Sequence, residues 1–109
     1  MRREFIKTNI FDEDWKKAGL NDDDLLVLEN TLLENPKVGK VIPGLSGGRK
    51  LRFAASGRGK SGGVRVVYLD IEAREHLYLL LAYPKNVRED MNSVQKNALC
   101  KIIAKIREE

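Results

Sequence analysis

The sequence contains only one cysteine and one histidine, Cys100 and His76, among its 109 residues. A single cysteine excludes an internal disulfide among these residues, and a single histidine excludes a multi-histidine metal site. No histidine-paired nucleophile is suggested either, and we predict neither a metal ion nor another cofactor. Such cysteine usage is typical of a reducing compartment, so we expect a cytoplasmic protein.

Long apolar runs are also absent. None approaches the roughly 18 residues that a membrane-spanning helix needs, and residues 1–11 lack the apolar centre and cleavage site of a signal peptide. The chain is 42% hydrophobic and 33% charged, which is the balance of a globular protein. We therefore expect no membrane association and one domain over residues 1–109.

Acidic residues are missing from the middle third of the chain. Between Asn35 and Leu69 there is no Asp or Glu, whereas eight Lys and Arg residues fall in this segment. The rest of the chain has 12 basic and 16 acidic residues, so the whole net charge of +4 arises from this central block. A basic block of this kind indicates a polyanionic partner, although a solvated basic surface would have the same composition.

The first third of the sequence predicts one strand and two helices. Arg3–Ile10 alternates loosely and is interpreted as an edge strand. A short helix follows and is stopped by Gly19. Asn21 is a suitable N-cap for a second helix, which the Asn35-Pro36 pair ends.

Three strands and a final helix are predicted after this helical hairpin. The strands cover Lys50–Ala54, Val64–Leu69 and Leu77–Tyr83, and the helix begins at Asn92. The expected fold class is α+β: a twisted antiparallel β-sheet with an N-terminal helical hairpin and a C-terminal helix. We expect the helices to pack on one face and to leave the other face open.

The cations of the predicted strands fall on one side of the sheet. Because alternate residues of a strand share a face, Lys50 and Arg52 point the same way. Arg65 interrupts an apolar strand, where burial of a cation is costly, so it is expected on the open face beside them. Arg58 and Lys60 lie in the glycine-rich loop between these strands. Such a surface suits an RNA backbone, although an ordinary hairpin with solvated charges remains an alternative.

Four motifs in this region resemble the RelE/HigB superfamily of toxin ribonucleases, in the branch with a long basic loop. They are RKLR, GRGKSGG, GVRVVY and YPKN, and they occur in the family's order within GLSGGRKLRFAASGRGKSGGVRVVYLD and LYLLLAYPKN. The resemblance extends over nearly the whole chain. It implies the family's RelE-like fold, a twisted antiparallel sheet with helices on one side.

The same resemblance implies a function. Family members cleave messenger RNA in the ribosomal A site and are silenced by a cognate antitoxin, for which a helix-turn-helix DNA-binding region is expected. The catalytic set carried over by the motifs is Arg65, Lys60, Lys50 and Arg52. The substrate-binding set is Arg58, Arg49, Tyr83, Lys85 and Asn86. Asn86 departs from the family, because several RelE-type enzymes have arginine there, and a C-terminal tyrosine has no obvious counterpart here.

The implied reaction is metal-independent attack by a ribose 2′-OH on the adjacent phosphate. Arg65 and Arg52 would stabilise the negative charge that grows on the phosphate oxygens. Crowding by cations can lower the pKa of a lysine, so Lys60 or Lys50 is the candidate general base, with Tyr83 a weaker candidate. Two other functions remain open: a ParE-like toxin that acts on DNA gyrase without nuclease activity, and a passive RNA-binding module.

Overall fold

A computed structural model describes residues 2–54, 63–84 and 91–109 of the protein. The elements in chain order are β1 (Glu4–Lys7), α1 (Asn9–Lys17), α2 (Asp22–Glu34), β2 (Lys40–Val41), β3 (Arg49–Phe53), β4 (Val64–Ile71), β5 (His76–Pro84) and α3 (Ser93–Glu108). The five strands form one sheet in the order β1-β5-β4-β3-β2. The α+β class, the helical hairpin and the final helix are confirmed.

The helix boundaries follow from local capping. Asn21 accepts a hydrogen bond from Asp24 N at 2.9 Å, and the Asp24 carboxylate accepts one from Asn21 N, which closes a capping box at α2. Asn92 and Gln95 form the same box at α3, which confirms the predicted start of this helix at Asn92. Gly19 has a φ of +78°, a conformation that ends α1 and that other residues adopt only with strain.

The sheet is antiparallel through β2, β3, β4 and β5, whereas β1 pairs in parallel with β5. The predicted edge position of β1 is therefore confirmed. Thr8 fixes the turn from β1 into α1: its hydroxyl donates to Leu80 O at 2.6 Å and accepts from Phe11 N. A short 3-10 turn at Glu72–Arg74 joins β4 to β5, and the two strands form an antiparallel hairpin.

The expectation that all helices pack on one face is wrong. One core lies between the sheet and helices α1 and α2, and it contains Phe11, Trp15 and Leu28. A second core lies on the opposite face under α3, and it contains Leu99 and Ile103. Strands β4 and β5 carry apolar residues on both faces, and a layer of helices on each side keeps both sets from water.

Helix α3 covers only part of its face of the sheet. Of the alternate β4 residues on this side, Val67, Leu69 and Ile71 belong to the core under α3, whereas Arg65 is half-buried and lines a surface cleft. The face that the sequence predicted to be open is thus open only at the end near the start of β4. This end carries the candidate site.

Candidate functional site

Two cross-strand pairs of cations lie at the uncovered end of the sheet. Arg52 of β3 lies directly opposite Arg65 of β4, and Lys50 of β3 lies directly opposite Lys40 of β2. Residues that face each other across antiparallel strands share one side of the sheet. We refer to Lys40, Lys50, Arg52 and Arg65 as the basic face. The predicted meeting of Lys50, Arg52 and Arg65 on one surface is confirmed by this register.

A cleft of about 450 Å³ runs along the basic face. It is lined by all four cations together with Val38, Gly39 and Leu51, and none of these described lining residues carries a carboxylate. Like charges directly opposite each other destabilise a sheet. The fold therefore places two such pairs side by side, and this concentration of positive charge favours a polyanion.

Arg65 occupies the inner end of this surface. It is half-buried, with Arg52 opposite it on one neighbouring strand and Tyr83 opposite it on the other. Partial burial fixes the guanidinium better than full exposure would, and a planar guanidinium can bind phosphate oxygens through two parallel hydrogen bonds. Arg52, in contrast, is exposed. Together they can approach one phosphate from two sides.

Tyr83 is brought to the same site but is only 8% exposed, and it belongs to the core under α3. Its position next to Arg65 agrees with the predicted place at the mouth of the site. Burial leaves little of the ring for contact with a substrate, so Tyr83 supports this end of the site mainly through packing.

Among the predicted site residues that fall within the described ranges, Arg49 alone lies away from the others. It alternates with Lys50 along β3 and lies opposite Tyr68, whose side chain faces the core under α1 and α2. Its Nη1 donates to Gly39 O at 2.7 Å and to Lys37 O at 3.3 Å. These contacts hold the segment that precedes β2, and they give Arg49 a structural role that needs no contact with a substrate.

Lys40 is a member of the basic face that the sequence did not identify. It is placed by β2, a strand of two residues that no periodic pattern could predict. The sequence signal for this strand was Gly39, which precedes Lys40. In the structure, a Cβ added to Gly39 would come within 2.7 Å of Lys50 O and 2.9 Å of the Tyr68 hydroxyl. Only glycine allows this close approach of the two strands.

Tyr68 anchors the segment before β2 from the core under α1 and α2. Its hydroxyl donates to Pro36 O at 2.8 Å and accepts from Gly39 N at 2.9 Å. Burial raises the pKa of Tyr68, while the hydrogen bond from Gly39 and the nearby charge of Arg49 lower it by smaller amounts. The phenol therefore stays neutral and serves as a fixed link between the core and the edge of the basic face.

Four predicted site residues, Arg58, Lys60, Lys85 and Asn86, lie outside the described part of the chain. Their roles therefore stay predictions. Within the described ranges, no cluster of three or more His, Cys, Asp or Glu residues is arranged to hold a metal ion. No helix within those ranges is long and apolar enough to cross a membrane.

The arrangement can bind and polarise phosphate but offers few groups for moving protons. Two guanidinium groups and two ammonium groups stabilise developing negative charge on phosphate oxygens. Guanidinium groups do not deprotonate in proteins, so a lysine is the available base among these four cations. Such a surface suits a reaction in which charge stabilisation supplies most of the rate enhancement.

Comparison with known proteins gives one family and one fold. A family model described as the RelE toxin of the RelE/RelB toxin–antitoxin system matches residues 3–109. The isolated RelE toxin of E. coli is similar with a TM-score of 0.56 and 17% identity, over 94% of this chain and 99% of that one. A double mutant of that toxin in the free state gives a TM-score of 0.57 and 18% identity, over 82% and 90% of the two chains.

A chain of the intact E. coli RelBE toxin–antitoxin complex gives a TM-score of 0.55 and 18% identity, over 76% of this chain and 95% of that one. At these identities the structural similarity concerns the fold. The match to the family model extends over every element described above.

Proposed function

This chain belongs to the RelE toxin family and is a toxin of a toxin–antitoxin pair, and from that premise we propose that it is an endoribonuclease that cleaves messenger RNA on the ribosome. The observation that carries the proposal is the Arg52–Arg65 pair within a cleft lined by four cations and no described carboxylate. A ribonuclease of this kind acts where ribosomes are, in the cytoplasm. Its natural inhibitor is a cognate antitoxin with a helix-turn-helix DNA-binding region.

The proposed reaction begins when a ribose 2′-OH attacks the neighbouring phosphorus. The bond from phosphorus to the 5′-oxygen of the next nucleotide breaks, which leaves a 2′,3′-cyclic phosphate and a free 5′-OH. Arg65 and Arg52 bind the non-bridging oxygens, whose negative charge increases in the transition state. No metal ion takes part in this scheme.

Two protons must move in this reaction: the 2′-OH loses one, and the departing 5′-oxygen gains one, which solvent water supplies. Lys50, at the edge of the Arg52–Arg65 pair, or Lys60 accepts the proton of the 2′-OH. At neutral pH almost every ordinary lysine is protonated and cannot accept a proton, so cleavage of unbound RNA is expected to be slow. The ribosome accelerates the reaction, because it holds the messenger with the attacking oxygen in line with the bond that breaks.

The first experiment measures what the protein inhibits in cells. It is expressed without its antitoxin, and incorporation of labelled methionine and labelled thymidine is followed over the first minutes. The proposal requires that protein synthesis stops first. Arrest of DNA synthesis before protein synthesis would instead favour action on gyrase.

The second experiment examines the chemistry on purified translating ribosomes. Messenger fragments are mapped, and their ends are tested for a 5′-OH and a cyclic phosphate. Arg65→Ala should reduce cleavage about 100-fold or more, whereas Lys16→Ala, an exposed cation of α1 on the opposite face, should not. If the wild-type protein leaves the messenger intact, it is a passive RNA binder and not a ribonuclease. If Arg65→Ala cleaves as fast as the wild type, Arg65 has no part in the mechanism.

A further inference from the structure

We propose that Lys40 forms a second phosphate subsite beside Lys50 and binds the phosphate adjacent to the one held by Arg52 and Arg65. The inference rests on the proposed function, because it takes the Arg52–Arg65 pair as the place where the RNA strand is cut. It extends that function by giving the bound segment a direction across the sheet. The ligand is a single-stranded RNA segment that spans at least two successive phosphates.

The first argument is the register. Lys40 lies directly opposite Lys50, and Lys50 lies two residues from Arg52 on the same face of β3. The two cation pairs are offset by two residues along β3 and by one strand spacing across the sheet. Their midpoints are therefore roughly 8 Å apart. Successive phosphates of an extended RNA strand are separated by a comparable distance. One continuous strand can therefore place one phosphate on each pair.

The second argument is the charge of the cleft. Its described lining holds four cations and no carboxylate, and both cation pairs are of the unfavourable like-charge kind. One phosphate at Arg52–Arg65 would compensate only the first pair. A second phosphate at Lys40 would add one further contact with a cation of the basic face.

The third argument is how firmly the segment before Lys40 is held. Tyr68 bonds to Pro36 O and Gly39 N, and Arg49 bonds to Gly39 O, so a buried phenol and a guanidinium fix the backbone next to Lys40. The Gly39 backbone approaches β3 so closely that a side chain there would overlap Lys50 O. A lysine whose backbone is fixed loses less entropy on binding than one in a loose loop.

The test uses a single-stranded RNA with 2′-O-methyl groups throughout, which the proposed reaction cannot cut. Its affinity is measured by fluorescence anisotropy from low to moderate salt for the wild type, Lys40→Gln, Lys40→Arg and Lys37→Gln. Lys37 is the matched control, since it carries the same charge three residues earlier and its side chain is 67% exposed and about 4.0 Å from Glu72. Each phosphate contact in a single strand contributes about 0.7 to the slope of log affinity against log salt.

We expect Lys40→Gln to reduce that slope by about 0.7 and the low-salt affinity about five- to tenfold. Lys40→Arg should keep both values, and Lys37→Gln should match the wild type. If Lys40→Gln and Lys37→Gln give the same slope and the same affinity, the subsite is refuted. Thermal melting of each variant confirms that the comparison is made on folded protein.

A second measurement locates the phosphate. One neutral methylphosphonate replaces each linkage of the RNA in turn, and its effect is compared between the wild type and Lys40→Gln. The subsite predicts one linkage, next to the cut, at which the neutral group weakens the wild type but has no further effect on Lys40→Gln. Additive losses at every linkage would overturn it. Because these oligonucleotides are not cut, failure of the ribonuclease proposal shows in the ribosome assay alone and failure of the subsite in the binding assay alone.

Discussion

Arg52 and Arg65 are directly opposed across β3 and β4, with their side chains on the same face of the sheet. In an isolated sheet this like-charge pair would lower stability by a few tenths of a kcal/mol to about 1 kcal/mol. The proposed binding of a phosphate would explain the pair better than a contribution to folding does. This opposition of stability and function can be measured.

Arg52→Gln should raise stability slightly, by up to about 1 kcal/mol, because it removes one of two facing charges at an exposed position. The same change should lower messenger cleavage about 100-fold, since one phosphate ligand is lost. Urea unfolding and a ribosomal cleavage assay give the two values. Lys16→Gln is the control and should alter neither. A variant that is both less stable and fully active would contradict this reading of the pair.

Arg49→Ala should have the opposite profile. Its guanidinium donates to the carbonyls of Gly39 and Lys37, so truncation should cost about 1–2 kcal/mol of unfolding free energy. Cleavage by the folded variant should fall only a few-fold, through looser placement of Lys40. Normal stability with abolished cleavage would instead make Arg49 a substrate contact, as the sequence suggested.

Tyr68 predicts how stability responds to alkaline pH. Burial raises its pKa, so above the ordinary tyrosine value of about 10 the unfolded chain loses its proton while the folded protein retains it. The contribution of the protonated Tyr68 to the free energy of unfolding is therefore fully present below pH 10, and it decreases as the pH rises above 10. Tyr68→Phe should be less stable at pH 7, because Pro36 O and Gly39 N lose their partner. Between pH 9.5 and 11, its melting temperature should fall less steeply than that of the wild type. Parallel slopes would show that other groups control the alkaline transition.

Arg3 and Asp70 form a nearly buried ion pair. Their side chains are 5% and 6% exposed, with Arg3 Nε 2.7 Å from Asp70 Oδ1 and a second hydrogen bond of 3.2 Å from Nη2 to Oδ2. The hydrogen bond to Asp70 raises the pKa of Arg3, although burial lowers it. Asp70→Asn should cost about 3 kcal/mol or more, because it leaves a buried guanidinium without its counter-charge.

The matching control replaces both members, as Arg3→Met with Asp70→Leu, and should regain much of that loss. Urea unfolding of the two single variants and the double variant completes the cycle. If the double variant is as unstable as the sum of the singles, the two side chains do not act as a pair.

The local elements of this fold could be predicted from the sequence, and the non-local ones could not. The caps at Asn21 and Asn92 use partners three residues away, so the motif is visible in the sequence. β2 depends instead on contacts from Tyr68 and Arg49, which lie 29 and 10 residues from Gly39. No local pattern records such contacts, and Lys40 was missed with the strand that carries it.

The position of α3 was mispredicted for a different reason. A helical apolar stripe shows that a helix has a buried side but not which face of a sheet it covers. The signal was in the strands: the run Leu77–Tyr83 is apolar at every position, which is typical of a strand covered on both sides. The three basic residues Lys50, Arg52 and Arg65 were placed correctly because strand alternation and the cost of burying a charge both applied to them.

Helices on both sides of one sheet also constrain how β4 can be aligned. Val64 and Val66 point towards α1 and α2, while Arg65 points to the other side. A shift of a single position along β3 and β5 would exchange these directions and push a guanidinium into hydrocarbon beneath α1 and α2. Misaligned chains would pay that desolvation penalty at once. The charge that we propose binds RNA therefore also disfavours misaligned pairing of β4 during folding.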